Sequence, residues 1–189
     1  MILSDRDLKK ALAQKRIIIK PAIDPATQLG SCSIDLRLGT TFRIFNRSSV
    51  SVIDPYDKAV MDKITSTVEV NDDAFILHPG EFALAVTREY IEVPDDLTGR
   101  LEGRSSIGRL GVVIHSTAAH IDAGFRGTIT LELANMGRIP VKLYPGMRIC
   151  SISFEQLTTK AEIPYYQKKD AKYVGQKEPG VSRIADEGA

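Results

Sequence analysis

Beyond residue 16 the chain is a succession of short strand-like segments separated by turn signals, and this pattern strongly restricts the fold. The segments span residues 17–19, 33–38, 41–45, 67–70, 74–77, 82–87, 97–101, 112–115, 128–134, 141–143 and 149–154. Two turns contain Pro79-Gly80 and Pro145-Gly146, in which proline fixes φ and glycine supplies the positive φ of a type II turn. Many short strands with regular turns predict a mainly β sandwich or barrel and argue against a parallel α/β sheet.

The N-terminus has a different pattern, which predicts a short helix. Ser4 is a candidate N-cap, and Asp7 follows three residues later, as in a capping box. Apolar residues then recur at helical spacing: Leu8, Ala11 and Leu12. We expect this helix to end near the basic residues 15–16, because cations stabilise a helix C-terminus.

Composition excludes several classes of protein. The 189 residues suit one domain, which we expect to span 1–189 with 165–189 as a C-terminal flap or tail. No apolar run is long enough to span a membrane and no apolar segment follows the first residues, so we expect a cytoplasmic protein without membrane contact. The net charge of +1 argues against a nucleic-acid partner, which requires a basic excess.

Cysteine and histidine give no metal-binding pattern. The two cysteines form no C-x-x-C pair, which excludes a disulfide framework and argues against a cysteine zinc site. His78, His115 and His120 lie on different segments without ligand spacing, so we interpret them as solvated or hydrogen-bonded side chains.

The tail from residue 165 is polar and basic, and two interpretations stay open. Up to Arg183 it carries Lys168, Lys169, Lys172, Lys177 and Arg183 against only Asp170 and Glu178. Such a segment is either a frayed terminus or a basic flap that orders over an anionic ligand.

The segment from Gly103 to Leu110 predicts an anion site. It combines glycine, two hydroxyls and two arginines around a short helix start. Backbone N–H groups at a helix N-terminus favour phosphate, and arginine adds forked donors. The alternative is a capped helix with surface arginines.

Residues 128–133 predict a strand with one apolar and one polar face. Ile129, Leu131 and Leu133 share one face, and Thr128, Thr130 and Glu132 share the other. If residues 123–127 form a hairpin turn, Ala118 faces Glu132 and leaves room for water or substrate beside the carboxylate. The alternative for Glu132 is a solvated strand carboxylate.

Taken together, these motifs resemble the dCTP deaminase family of the trimeric dUTPase-like superfamily. The resemblance rests on Gly103-Arg104-Ser105-Ser106-x-x-Arg109, Ile121-Asp122-x-Gly124-Phe125 and Thr130-Leu131-Glu132. It extends to Ser33-Ile34-Asp35-Leu36-Arg37-Leu38-Gly39, to both Pro-Gly turns, and to Asp170-Ala171-Lys172-Tyr173 and Gly175-Gln176-Lys177. It therefore covers nearly the whole chain, in order.

The resemblance implies a distorted jelly-roll-like β-barrel with a short N-terminal helix and small additional helices, assembled as a homotrimer. It implies hydrolytic deamination of dCTP to dUTP and ammonia, which supplies the dUMP and dTTP pathway. Mg²⁺ is expected to accompany the triphosphate, and dTTP is a candidate inhibitor. No zinc is expected, since zinc nucleobase deaminases require an H-x-E…P-C-x-x-C ligand set that this chain lacks.

Catalytic roles follow from the resemblance at four matching residues. Glu132 resembles the general base and acid, which takes a proton from water as the oxygen attacks C4 of cytosine. Ser105 and the backbone of Ala118 are expected to position that water. Arg109 is expected near the base, where it supports the charge that develops.

Substrate-binding roles follow in the same way. Arg104, Ser105 and Ser106 are expected to hold phosphates, with Ile107, Gly108 and Arg109 in the same segment. Asp122 resembles the residue that meets the deoxyribose 3′-hydroxyl, and Thr130, Leu131 and Glu132 are expected along the base. Tyr165, Lys172 and Gln176 match nucleotide-contacting positions of the C-terminal flap.

One branch point concerns the product. Relatives that also hydrolyse dUTP to dUMP commonly carry Gln where this chain has Ser151, at the end of Arg148-Ile149-Cys150-Ser151. We therefore predict dUTP, with a bifunctional enzyme that forms dUMP as the alternative. A non-catalytic nucleotide-binding trimer is the alternative from another class.

Overall fold

A computed structural model of the chain describes residues 1–46, 50–57, 59–115 and 117–187. The strands are β1 (Ile18–Lys20), β2 (Ile34–Phe45), β3 (Thr65–Glu69), β4 (Phe75–Leu77), β5 (Phe82–Glu92), β6 (Leu97–Gly103), β7 (Val112–Ile114), β8 (His120–Ile121), β9 (Arg126–Asn135), β10 (Val141–Leu143) and β11 (Arg148–Gln156). The helices are α1 (Asp5–Ala13), α2 (Pro25–Gln28), α3 (Val60–Ile64) and α4 (Ser105–Gly108), with 3-10 turns at Tyr165–Gln167 and Ile184–Glu187. The mainly β prediction is confirmed.

The strands form a curled sheet in the order β7-β9-β5-β2-β11-β6-β8, with β1 added to β5 and β3 added to β2. The long strand β2 joins the two halves of this sheet. Its first residues pair with β11, and its later residues pair with β5 and β3 after a register shift between Leu38 and Phe42. Strands β4 and β10 form a separate two-stranded sheet.

Two sequence segments predicted as separate strands, 33–38 and 41–45, are therefore one continuous strand. Gly39 lies at the point of closest approach to β5, where an added Cβ would stand 2.9 Å from the Val86 carbonyl oxygen. The glycine permits close packing of two backbones here and does not end the strand.

The core lies between the two halves of the curled sheet. Alternate residues of β2, β9 and β11 contribute it, including Leu36, Leu131 and Phe154, which have no exposed surface. Phe42 of β2 stacks on Phe75 of β4 with ring centroids 4.2 Å apart. From Ile129 onward, buried residues of β9 alternate with half-buried ones, and this places Thr130 and Glu132 on the outward face of the strand.

The N-terminal helix and the Pro-Gly turns follow the sequence predictions. The Asp7 N–H donates to the Ser4 hydroxyl, which caps α1, and the helix ends at Ala13, just before the basic residues. Gly80 and Gly146 have φ of 75° and 82°, as a type II turn requires. None of the helices in the described ranges is long and apolar enough to cross a membrane.

Candidate functional site

A cavity of about 490 Å³ lies against the polar face of β9, a size within the range of small-molecule sites. Strand β9 contributes Thr128, Ile129, Thr130 and Glu132 to it, and the segment before β9 contributes His115, Ala118, His120, Ile121, Asp122 and Phe125. The C-terminal segment (residues 165–187) contributes Tyr165, Tyr173, Gln176, Gly180, Val181 and Ser182. Phe45, Met61, Phe82 and Leu84 form an apolar wall. The cavity therefore combines polar and apolar walls beneath a C-terminal cover.

Glu132 lies on the polar face of β9, as its alternating pattern predicts. Leu131 and Leu133 on either side are fully buried, whereas Glu132 is half-buried at the cavity wall. Its carboxylate accepts a hydrogen bond of 2.8 Å from the Thr117 hydroxyl. Among the described residues Thr117 is its hydrogen-bond partner, so the carboxylate retains acceptor capacity for water or substrate.

The hairpin that places Ala118 opposite Glu132 is wrong. Strand β8 pairs with β6, where Ile121 lies opposite Gly99, and not with β9. His115 has a φ of 57°, so the chain turns away from β9 directly after its N–H donates to the Glu132 carbonyl. The left-handed residue thus sends residues 117–121 to the other half of the sheet.

Ala118 nevertheless lines the same cavity as Glu132. Its carbonyl oxygen lies 2.5 Å from His115 Nε2. Because a carbonyl only accepts, Nε2 carries the proton in this contact. The histidine therefore fixes the Ala118 backbone at the cavity wall, and no other described residue donates to this carbonyl, which can accept a second hydrogen bond.

Asp122 also lines the cavity, beside a histidine and a lysine. Its carboxylate is 3.9 Å from His120 Nε2 and 4.0 Å from Lys168 Nζ. The Phe125 ring packs at 6.0 Å from the Tyr165 ring, and burial raises the pKa of Tyr165. A half-buried carboxylate beside an aromatic pair is suited to a sugar hydroxyl and a sugar face.

The C-terminal segment is tied to β9 by backbone bonds. The Gln176 carbonyl accepts from the Thr128 N–H at 2.8 Å, and the Gly175 N–H donates to the Arg126 carbonyl at 2.7 Å. The Gln176 side chain reaches into the cavity and donates to the Thr130 hydroxyl. These contacts argue against a frayed end for residues 175–176, which pack on β9; that the segment closes over an anionic ligand stays a prediction.

Lys172 does not line the cavity. Its ammonium pairs with Glu187, and this hydrogen bond raises the pKa of Lys172. The Arg183 guanidinium donates to the Lys172 carbonyl and lies over the Tyr173 ring. Glu187 is therefore the partner of the Lys172 ammonium, which the resemblance assigns to nucleotide binding.

The segment Gly103–Arg109 lies in a different place. Helix α4 follows Arg104 as predicted, and Arg104, Ser105 and Gly108 line a shallow groove of about 350 Å³ with Gly111 and Met136. Ser106 and Arg109 are exposed, and Ile107 is buried in the core. Among the described residues, none lines both the cavity and this groove. Within one chain the candidate site residues therefore form two groups.

The sequence interpretation missed Arg43 and the apolar wall. Arg43 Nε donates to the Pro179 carbonyl at 3.2 Å, and its Nη1 donates to the Thr65 hydroxyl at 3.2 Å. The alternation of residues 41–45 signals an outward side chain at Arg43. Its contact with residue 179 is visible only in the folded chain.

Metal ligands do not converge in the described part of the chain, where no three His, Cys, Asp or Glu side chains form a cluster.

Comparisons with known proteins agree with these observations. A family model described as dCTP deaminase-like matches residues 2–157. A protein of Thermomicrobium roseum named dCTP deaminase is 56% identical over 99% of this chain and 95% of its own length. A protein of Methanothermobacter thermautotrophicus named dCTP deaminase, dUMP-forming, is 50% identical over 98% of this chain and 95% of its own length.

A solved structure shares the fold. The 2′-deoxycytidine 5′-triphosphate deaminase from Agrobacterium tumefaciens superposes with a TM-score of 0.63 over 82% of this chain, at 23% identity. The chain spans about half the length of that protein, with 48% of it covered. The two proteins thus share the curled β fold although their sequence identity is low.

Proposed function

The chain belongs to the dCTP deaminase-like family, and from that membership we propose that it hydrolyses the 4-amino group of dCTP, giving dUTP and ammonia. The observation that carries the proposal is the carboxylate of Glu132 on the wall of a covered cavity of nucleoside size. Relatives named dCTP deaminase align over nearly the whole chain, so their reaction is the natural starting point for this site.

Glu132 acts as the proton carrier. It takes a proton from water as the oxygen bonds to C4 of cytosine and passes this proton to N3, which gives a tetrahedral intermediate. Glu132 then takes the proton of the new C4 hydroxyl and delivers it to the amine, so that the C4–N bond breaks and ammonia leaves as the C4 carbonyl forms. One water enters and one ammonia departs, so a single carboxylate completes the cycle without net change.

The attacking water is held by its surroundings. The Ala118 carbonyl, fixed by His115, offers one acceptor at the cavity wall. The Ser105 hydroxyl is the second partner in this proposal, and Arg109 supports the charge on the base as water adds. Arg109 Nη1 already lies 3.4 Å from the Ser105 hydroxyl, which keeps the two side chains together.

The sugar, the base and the phosphates are assigned to the residues that line the cavity and the groove. Asp122 receives the 3′-hydroxyl, the Phe125–Tyr165 pair packs against the sugar, and the Thr130–Leu131 backbone flanks the base. Arg104, Ser105 and Ser106 hold phosphates, while the N–H groups of Ile107 and Gly108 donate to the Arg104 carbonyl and close the turn that presents these side chains. Gln176 of the C-terminal segment joins them, as does Lys172 once its pairing with Glu187 is released. Mg²⁺ arrives with the triphosphate as part of the substrate.

We further propose that the site is completed between subunits of a homotrimer. The groove of Arg104 and Ser105 does not meet the Glu132 cavity within one chain. Apolar side chains beside that groove are strongly exposed, with Leu110 at 55% and Met136 at 76%. Exposed apolar surface beside half of a binding site is typical of a subunit interface, and a heterologous ring lets each subunit complete its neighbour's site.

A second candidate product is dUMP. Relatives named dUMP-forming are 48–50% identical to this chain over almost its full length, and they favour this alternative. Ser151, in contrast, is shorter than the glutamine expected of hydrolysing relatives, and its strand neighbours are Asp35 and Glu102. Hydrolysis to dUMP needs a second water aligned on the α-phosphate, and displacement of a reacting water costs about 10²-fold in rate.

Product analysis tests the proposal directly. Purified protein is incubated with dCTP and excess Mg²⁺, and ammonia, dUTP, dUMP and pyrophosphate are quantified from the first turnovers. We expect ammonia and dUTP in equal amounts, and a zinc-selective chelator should leave the rate unchanged. Stoichiometric dUMP and pyrophosphate would establish the bifunctional alternative. Tight dCTP binding without ammonia would establish a non-catalytic nucleotide-binding protein.

A further inference from the structure

The carboxylate of Asp35 lies between two guanidinium groups. Arg104 Nε is 3.1 Å and Arg148 Nη1 is 3.2 Å from the same oxygen, Oδ2. The Asp35 side chain is only 19% exposed, so water competes weakly for these contacts. Asp35 belongs to the Ser33–Gly39 segment, to which the proposed chemistry gives no role.

The contacts of Arg104 leave one edge of its guanidinium group available. Its Nε is directed to Asp35, and its Nη1 donates to the Arg148 carbonyl at 3.2 Å. Arginine has five N–H donors, of which Nη2 carries two. No described residue accepts from Nη2, so the Nη1–Nη2 edge keeps the donors needed for two phosphate oxygens.

Asp35 is itself fixed through both its backbone and its side chain. Gln28 Nε2 donates to the Asp35 carbonyl at 2.9 Å and to the buried carboxylate of Glu89 at 3.1 Å. Arg148, the second partner of the Asp35 carboxylate, also donates to the Thr27 carbonyl. The carboxylate is therefore a rigid reference against which a long arginine side chain can be oriented.

We propose that Asp35 is a positioning residue that holds Arg104 with its Nη1–Nη2 edge directed to the triphosphate. This inference rests on the proposed role of Arg104 in phosphate binding. It deepens that role, because an arginine orientated in advance loses less side-chain freedom when phosphate binds.

The competing interpretation is that Asp35 neutralises Arg104 and opposes phosphate. Two guanidinium groups share this one carboxylate, so the local charge of the three groups remains positive. An approaching phosphate is therefore still attracted, and orientation is the larger effect of Asp35. The two interpretations predict opposite changes in nucleotide affinity when the charge of Asp35 is removed.

The test is a double-mutant cycle on Asp35 and Arg104, with KM and kcat for dCTP measured on the intact oligomer. Arg104→Met should raise KM about 10- to 100-fold, as expected for loss of a charged hydrogen-bonding partner of phosphate. Asp35→Asn should raise KM about tenfold with kcat changed less than about threefold. In the Arg104→Met background, Asp35→Asn should add less than about twofold, because Asp35 acts through Arg104.

Asp96→Asn is the matched control, because Asp96 also has a shielded carboxylate, 23% exposed, paired with an arginine, Arg16. It should leave KM unchanged. If Asp35→Asn does not assemble, Arg104→Lys tests the same point. Lysine keeps the charge but offers no planar edge, so KM should rise as in Arg104→Met.

Each other outcome overturns the inference. A lower KM in Asp35→Asn would make Asp35 a competitor of phosphate, and a multiplicative effect in the double variant would make its role merely structural. A wild-type KM in Arg104→Lys would show that charge alone suffices. If Arg104→Met raises KM but Asp35→Asn does not, only the inference fails. A wild-type KM in Arg104→Met removes both the inference and the phosphate role of Arg104.

Discussion

The cavity at β9 and the groove at α4 carry the two halves of the proposed chemistry, and they differ in how complete they are. The cavity has a polar wall, an apolar wall and a cover made by the same chain. The groove is a shallow depression with exposed apolar side chains beside it. One chain therefore builds a covered cavity, in which we propose that the nucleoside binds, and an open groove, in which we propose that phosphate binds. This difference is the reason for the proposal that a second copy completes each site.

The largest effect is expected at the carboxylate of the cavity. Glu132→Gln keeps the shape and the Thr117 contact but cannot take a proton from water. Deamination should fall by about 10²–10⁴-fold, as is typical for loss of a general base, while nucleotide affinity changes little. Initial rates of ammonia release and equilibrium dCTP binding check this prediction, with Glu69→Gln as a control on an exposed strand. Near-normal turnover would remove Glu132 from the mechanism.

Ala118→Leu should give the next largest loss, because a bulky side chain enters the cavity beside the proposed water site. The effect does not depend on the corrected hairpin register, since Ala118 lines the cavity in the observed fold. We expect a rate decrease of about 10²-fold or more, the scale of a displaced reacting water. Light scattering and thermal unfolding should show an intact oligomer, because Ala118 is exposed. An active Ala118→Leu enzyme would show that water is held elsewhere.

These two residues also illustrate what could be predicted from the sequence. The outward position of Glu132 follows from the period-two pattern of β9, which is a local property. The position of Ala118 does not follow from a local pattern. It depends on the left-handed conformation of His115 and on the pairing of β8 with β6, a strand more than 15 residues earlier in the chain. Helix α1 and both Pro-Gly turns are likewise local, and they are confirmed.

Features that join distant segments could not be predicted in the same way. The contact between Arg43 and residue 179 and the pairing of Lys172 with Glu187 arise only when the tail folds back. The separation of Arg104 from Glu132 also depends on strand order. Strand β6, which leads into Arg104, lies near one end of the sheet, whereas β9, which carries Glu132, lies near the other end. Composition indicated a basic tail, but not the partners of its charges.

A smaller effect is expected where the cover meets the cavity. Gln176→Ala removes the side-chain bond to Thr130 but leaves the backbone bonds of residues 175–176 to β9. KM for dCTP should rise about tenfold, the equivalent of one to two hydrogen bonds. The control is Lys177→Ala, the exposed neighbour, which should leave KM unchanged. Equal effects of both substitutions would indicate a general disturbance of the segment.

The smallest effect is expected at Arg43, which holds the far end of the cover. Arg43→Met removes the bonds to Pro179 and Thr65 but none of the contacts at Gln176. We expect KM to rise about three- to fivefold, since a loop contact of about 1 kcal/mol is lost. Hydrogen exchange of the backbone amides of residues 180–183 should accelerate, with Thr65→Val as a milder comparison. Unchanged exchange would mean that Arg43 does not hold the segment.

The comparison of cavity and groove is tested most directly by mixing equal amounts of two impaired variants, Glu132→Gln and Arg104→Met, as dissociated subunits and reassembling them. Activity is measured well below the wild-type KM, with each variant reassembled alone as a reference. If Glu132 of one subunit works with Arg104 of the next, about a quarter of the sites in random trimers carry both intact residues, and activity should recover to about that fraction of wild type. Activity no higher than the average of the two separate variants would show that each chain completes its own site and would contradict the account.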